Sequence, residues 1–215
     1  MAMKTHRLWM NAIFVGALLL LARPLPAQTW VRYEAEAGSK VKIEGTSTVH
    51  DWTAESLVIG GSMEVDASFD ADPKTVKVKP KVEVSIPVRM LKTSGGKRMN
   101  EVMQEAMNMK DHPKIEYRLL EMVPKGPPAS PAGPYEFDTK GVLTISGVSK
   151  TNAMPVTLER IDKTKMKITG TTPLKMTDFG IKPPSPTIAL GLIKTGDEIK
   201  ITFEWLTAQR TEAAK

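Results

Sequence analysis

The longest unbroken alternation in the chain runs from Val76 to Met90, and few architectures accommodate it. Val76, Val78, Pro80, Val82, Val84, Ile86, Val88 and Met90 share one parity, opposite Lys77, Lys79, Lys81, Glu83, Ser85, Pro87 and Arg89. Successive side chains of a strand point to opposite faces, so this pattern describes a strand with one wet face and one apolar face. A strand this long must twist or break, and the prolines at 80 and 87 mark where ladder hydrogen bonds are missing. Both events accompany a sheet that curls.

Shorter alternations surround it. Val41 and Ile43 lie among Lys40, Lys42 and Glu44, and Met63, Val65, Ala67 and Phe69 alternate with Glu64, Asp66, Ser68 and Asp70. Ile115, Tyr117 and Leu119 begin a strand that runs to Met122; further segments centre on Phe137, Leu143 and Ile145, on Met154, Val156 and Leu158, and on Met166 and Ile168. The last strand alternates Ile199, Ile201, Phe203 and Trp205 with charged and hydroxyl residues, and the polar stretch from Thr207 is expected to fray. Turn signals fall between them: a bend near His50, Asp72-Pro73, Thr93-Ser94-Gly95-Gly96, and proline-rich loops at 124–134 and 183–186. The pattern predicts about eight strands in largely antiparallel order. Closing the sheet removes its exposed edges, and an eight-stranded barrel encloses either its own side chains or one small ligand. A β-sandwich would show the same alternation.

One stretch breaks the two-residue period. From Arg98, residues Met99, Val102, Met103, Ala106 and Met107 recur at three-and-four spacing, with Asn100, Glu101, Gln104 and Glu105 largely on the other side. This is an amphipathic helix that needs an apolar surface. Pro113 cannot continue it, so it should stop by about Lys110; Thr93 and Ser94 are candidates to cap its start. The expected fold is therefore mainly β, an eight-stranded antiparallel barrel with one main amphipathic helix as a cap. Four methionines, Met99, Met103, Met107 and Met109, cluster on that helix. Methionine is flexible and polarisable and suits a surface that adapts to an irregular apolar partner, although ordinary core filling explains the same spacing.

The first residues belong to another kind of segment. Lys4, His6 and Arg7 precede the apolar run Ala12 to Ala22, and Leu25-Pro26-Ala27 ends in a small residue, the layout of a secretory signal peptide. The run is short for a membrane span, which takes about 20 residues. The expected organisation is a signal peptide at 1–27, a barrel domain at 28–210 and a polar tail at 211–215, with a periplasmic location and no transmembrane segment in the mature chain. Without Lys4, Arg7 and Arg23 the formal charge falls from +6 to +3. The lysine stripe at 74, 77, 79 and 81 has no interleaved aromatic residue, so it reads as a solvated strand face and no nucleic acid partner is expected. With no cysteine in the chain, thiol catalysis, thiolate metal sites and a lipoprotein anchor are excluded.

No motif favours an enzyme. His50-Asp51 and Asp111-His112 look like halves of an acid–base pair or metal site, but a zinc site for hydrolysis usually takes three protein ligands and no HExxH spacing occurs. His112, before a proline, has a plain turn role. Asp178-Phe179-Gly180 matches the kinase tripeptide by letters alone, without a glycine-rich phosphate loop or HRD sequence. There is no G-x-S-x-G elbow and no Walker motif. No cofactor and no metal are expected.

Four stretches together carry a resemblance: Gly45 to Trp52 (GTSTVHDW), Met107 to Tyr117 (MNMKDHPKIEY), Gly141 to Lys150 (GVLTISGVSK) and Leu174 to Ile181 (LKMTDFGI). In this order they resemble the YceI-like family, with Tyr117 standing where phenylalanine is commoner. The resemblance implies a lipocalin-like barrel, exported to the bacterial periplasm, that holds a polyisoprenoid chain such as a quinone tail or isoprenoid alcohol. The expected partner is thus a long-chain isoprenoid lipid or quinone, with a homodimer left open. The expected lining is Val78, Val82, Val84 and Ile86 on the inward parity, then Met103, Met107, Tyr117, Leu143, Ile145, Phe179, Phe203 and Trp205. Two other readings stay open: a barrel filled by its own side chains that binds another protein, and an outer-membrane barrel, which the missing terminal aromatic residue disfavours.

Overall fold

The structure, a computed structural model, describes residues 29–74, 79–128, 130, 133–185 and 193–210. The expected signal peptide, Val78 and the tail at 211–215 lie outside the described residues. The strands are β1 (Trp30–Ala35), β2 (Lys40–Ser47), β3 (Trp52–Ser56), β4 (Gly60–Asp66), β5 (Lys81–Pro87), β6 (Lys92–Thr93), β7 (Lys114–Pro124), β8 (Tyr135–Ile145), β9 (Val148–Arg160), β10 (Lys165–Lys175) and β11 (Thr195–Gln209). Two helices, α1 (Ala67–Ala71) and α2 (Gly96–Ala106), interrupt the series.

All pairings are antiparallel, and the ring β1-β4-β5-β7-β8-β9-β10-β11 closes through β1 against β11. This is the expected closed barrel of eight strands. Eleven segments serve eight positions because the first three staves are broken. β1 and β2 follow each other along one edge of β11, with Ala35 opposite Thr207 and Lys40 opposite Glu204. β4 and β3 continue one another beside them, and so do β5 and β6. Backbone groups released at a break need partners. At the first, Ser39 Oγ accepts from Leu206 N at 3.0 Å and donates to Glu36 O at 2.9 Å; at the second, Ser56 Oγ accepts from Val58 N at 3.0 Å. At the third, a single 3-10 turn, Val88–Met90, replaces the strand expected to run to Met90. Pro87 has no N–H for the ladder, and Val88 N turns instead to Pro113 O at 2.9 Å.

The outer face is charged. Arg32 and Lys81 flank Glu64 at 2.7 and 3.2 Å, and Lys42 and Lys200 flank Glu44, both at 2.9 Å. Such exposed pairs add little stability, but a wall that carries them does not sit in hydrocarbon. No helix among the described residues is long and apolar enough to cross a membrane.

One end of the barrel is packed solid. The alternation Met63 to Phe69 suggested a single strand, yet β4 stops at Asp66, whose carboxylate accepts from Phe69 N at 2.8 Å and starts α1. That N-cap swings Phe69 inward, where it is fully buried 6.2 Å from the Phe137 ring. Tyr33 Oη donates to the Asp70 carboxylate and Arg160 Nη2 donates to the Asp70 carbonyl, tying α1 to β1 and β9. Met166 and Val65 complete this floor, and Leu158 lies where it meets the chamber above. Thr207 was expected to fray but is fully buried there, because β11 closes the ring on β1 at Ala35 and Thr207 Oγ1 donates to Met166 O.

At the other end lies α2. It stops at Ala106, within the expected limit of about Lys110, because Asn108 takes a left-handed conformation with φ of 50°. Asn108 N bonds Glu105 O and Met109 N bonds Gln104 O, each at 2.9 Å, the paired closure of a Schellman motif. Thr93 and Ser94 do not cap the start. Instead Asn100, from within α2, accepts from Thr93 N and Thr93 Oγ1 at 2.7 and 2.9 Å and fastens the helix to β6.

Candidate functional site

Between floor and helix the barrel is hollow. An inner chamber of about 130 Å³ and an outer chamber of about 210 Å³ share Ile43, Ile115 and Ile201, which form a waist between them. The expected lining divides between the two. Val82, Val84, Ile86, Tyr117, Leu143, Phe203 and Trp205 face the inner chamber. Met103, Met107, Ile145 and Phe179 face the outer one. Val78 lies outside the described residues.

The inner chamber is made by strand parity. β5 sends Val82, Val84 and Ile86 inward while Glu83 and Lys81 stay outside, and its register with β7 sets Val84 opposite Tyr117. Two glycines widen the bore for rings from neighbouring strands. A Cβ on Gly141 would fall 2.2 Å from the Tyr117 ring, and one on Gly170 would fall 2.7 Å from Phe203. Glycine in a strand often marks such a close approach.

The outer chamber is made by α2. All five residues on its predicted apolar face, Met99, Val102, Met103, Ala106 and Met107, line it. Phe179 enters from the facing side on a 3-10 turn, Met176–Phe179, which ends at Gly180 with φ of 69°. The kinase-like letters are thus a turn that inserts a ring. Thr177 holds it to the start of β11, its N and Oγ1 donating to Asp197 at 2.9 and 2.6 Å.

Sequence reasoning missed several wall residues. Met63, Met122 and Met154 join the inner chamber, and Met99 and Met176 the outer, so the methionines mainly border open space rather than fill core; only Met166 sits in the floor. The unexpected members are polar: Thr139, Asn152 and Thr172 face the inner chamber. A polar residue on an inward parity resembles a pattern error, and no signal in the sequence marks it.

No Asp, Glu, Lys or Arg side chain lines either chamber among the described residues, and His50 stands at the outer rim. His50 Nδ1 lies 2.8 Å from Asp51 O, a backbone contact, and the His112 ring covers the hairpin turn at Gly147. No group of three or more potential metal ligands occurs among the described residues. Two buried donors nevertheless face the inner chamber without partners among the described residues, Tyr117 Oη and Trp205 Nε1. Burial pushes the Tyr117 phenol up from its ordinary range. Thr139, whose own hydrogen goes to Met154 O at 2.8 Å, is close enough to oppose that shift, although no hydrogen bond of good geometry joins it to the phenol.

Comparison with known proteins places this architecture. The sequence profile of the YceI-like domain matches residues 33–206. Among solved structures, a polyisoprenoid-binding domain from Saccharophagus degradans, implicated in plant cell wall breakdown, superposes with a TM-score of 0.63 at 12% identity, covering 83% of this chain and 98% of its own. BcnA of Burkholderia cenocepacia gives 0.60 at 18% identity over 78% and 95% of the two chains. The YceI protein of Campylobacter jejuni gives 0.52 at 20% identity over 74% and 85%. No curated protein matches the sequence significantly.

Proposed function

Given that this chain belongs to the YceI-like family, we propose that it is an exported binding protein that sequesters or carries a long apolar isoprenoid lipid, of quinone or polyprenol type, inside its barrel. The observation that carries this reading is the pair of apolar chambers joined at the waist of Ile43, Ile115 and Ile201. Transfer of each CH2-sized group from water into such a bore contributes about 0.8 kcal/mol before the costs of binding. A long chain therefore needs few polar contacts. The shared fold with a polyisoprenoid-binding domain supports an isoprenoid as the ligand class.

The chambers also say how the chain is accommodated. A dry engineered cavity of about 150 Å³ takes one benzene ring, so chambers of about 130 and 210 Å³ hold a few isoprene units as packed. A longer chain spreads the walls. The bordering methionines turn about three side-chain bonds each, and α2 has no fully buried residue to hold it down.

A second reading, a barrel filled by its own side chains that serves as a protein-interaction module, draws on the floor alone. Lipid extraction and mass spectrometry of protein purified from its native cells separates the two. The carrier reading expects one isoprenoid lipid per chain; lipid-free extracts from folded protein would refute it. Export rests on the basic residues, apolar run and Ala27 at the start of the sequence. Amino-terminal sequencing of the native protein is expected to begin at Gln28, and an intact Met1 would refute export by cleavage.

A further inference from the structure

One joint of the barrel wall is bonded along only part of its length. The ladder between β9 and β10 runs from Met166 opposite Arg160 to Gly170 opposite Val156 and stops there, although β10 continues to Lys175 and β9 reaches back to Val148. Over the same stretch both strands keep their other neighbours: β8 stays on β9 as far as Val148, and β11 stays on β10 as far as Lys175. Residues 151–155 and 171–175 therefore face each other across a seam with no ladder. At about 3.4 Å per residue the seam is about 17 Å long.

The sequence supplies a reason for the split. Continued at the same register, Pro155 would stand against Thr171 and Pro173 against Ala153, and proline has no N–H to give a ladder. Side chains hold the seam from inside instead. Asn152 Nδ2 donates across it to Thr172 Oγ1 at 3.2 Å, Thr172 Oγ1 donates to Pro173 O at 3.4 Å, and Thr139 Oγ1 donates to Met154 O at 2.8 Å. These polar residues on an inward parity thus serve one another and carbonyls beside the seam. The outside is bare. In the bonded part of the joint Lys167 pairs with Glu159 at 2.6 Å, whereas along the seam Thr151, Ala153 and Pro155 are exposed beside Thr171 and Pro173, and no ion pair spans it among the described residues. Asn152, Met154 and Thr172 also line the inner chamber, so the seam is part of that chamber's side wall.

We propose that the seam between β9 and β10 is a side door: the two strands part above Gly170 and Val156, and an apolar chain is laid into the barrel sideways, without threading past the waist from the mouth. The bonded stretch from Met166 to Gly170 is the hinge, and the Asn152–Thr172 hydrogen bond is the latch. Parting the seam costs a side-chain bond, whereas parting a laddered joint over the same length costs several backbone bonds, and local opening follows the least bonded segment. This inference rests on the carrier reading but concerns how the barrel is loaded.

The chain has no cysteine, so an engineered pair is its only pair of thiols. In the full-length mature protein A153C/P173C sets thiols across the seam, to be joined by the short, reducible cross-linker methylene bis-methanethiosulfonate; T144C/S149C, on directly opposed residues of the bonded β8–β9 joint, is the control. Uptake of retinol, an isoprenoid alcohol whose fluorescence rises on burial, is expected to be at least about tenfold slower in cross-linked A153C/P173C than in its reduced form, and within about twofold of its reduced form in the control. Amide exchange in ligand-free wild type checks the seam itself: the least protected amides of 151–155 and 171–175 should exchange at least about tenfold faster than those of 156–160 and 166–170. Cross-linked A153C/P173C that loads as fast as its reduced form, or equal protection of the two stretches, overturns the door while retinol binding preserves the carrier reading. If wild type takes up no retinol, both fall.

Discussion

The two ends of the barrel use the same strands for opposite purposes. At the floor, Tyr33, Phe69, Phe137 and Met166 are fully buried and fill the bore from wall to wall. Farther along the barrel, Met154, Ile168 and Phe203 border open space instead. Floor residues have neighbours on every side and so gain full packing contacts, whereas a wall residue beside a chamber forgoes part of them. The difference shows where the fold keeps its stability and where it has given some up to make room.

The sharpest way to break this contrast is at Phe69. F69A should cost about 3–5 kcal/mol in chemical denaturation, the usual penalty for emptying a closed aromatic site. A cost below about 1 kcal/mol would mean that the floor is no plug. Next is Y33F, which removes a hydrogen bond to the Asp70 carboxylate and should cost about 1.5–3 kcal/mol near neutral pH. Burial, and then the Asp70 carboxylate, push the Tyr33 phenol up to about 12, from an ordinary value of 10.0. The neutral phenol is the form the fold favours, so its contribution is fully present below pH 10 and is lost as pH rises through about 12. The stability gap between wild type and Y33F should close over that window; a gap that stays constant to pH 12 would remove Tyr33 from the account.

Smaller effects are expected around the chambers. In G141A the new methyl meets the Tyr117 ring, and the ring must move into the bore. A cost of about 1–3 kcal/mol is expected from this overpacking, relieved when Tyr117 is also replaced by Ala. No relief in the double variant would show that the glycine serves the strand rather than the ring. Smallest is V84A, at most about 1 kcal/mol, because Val84 already borders a chamber. A loss as large as that of F69A would erase the distinction between wall and floor.

The fold was legible because alternation reports which face of a strand is apolar. The inward parity of Val82, Val84 and Ile86 and the three-and-four stripe on α2 both point into the chambers. Depth along the barrel axis was not legible, since a period of two names a face and not a level. Trp205 and Met166 look alike in sequence, yet one borders the inner chamber and the other is sealed in the floor. Where a local hydrogen bond overrode the pattern, the expected ends of elements moved. Asp66 turned a continuing alternation into α1, and closure on β1 buried Thr207. The polar residues of the inner chamber were invisible because Thr139, Asn152 and Thr172 come together only through the register that sets β8, β9 and β10 side by side.

Native mass spectrometry of the protein from its own cells, alongside the waist-filling variant I201W with its fold checked by circular dichroism, tests the container directly. The wild-type ion should carry one lipid per chain, released intact on collisional activation and isoprenoid by fragmentation, and I201W should fly at its bare mass. A bare wild-type ion, or the same adduct retained in I201W, would contradict the claim that a chain threads the two chambers.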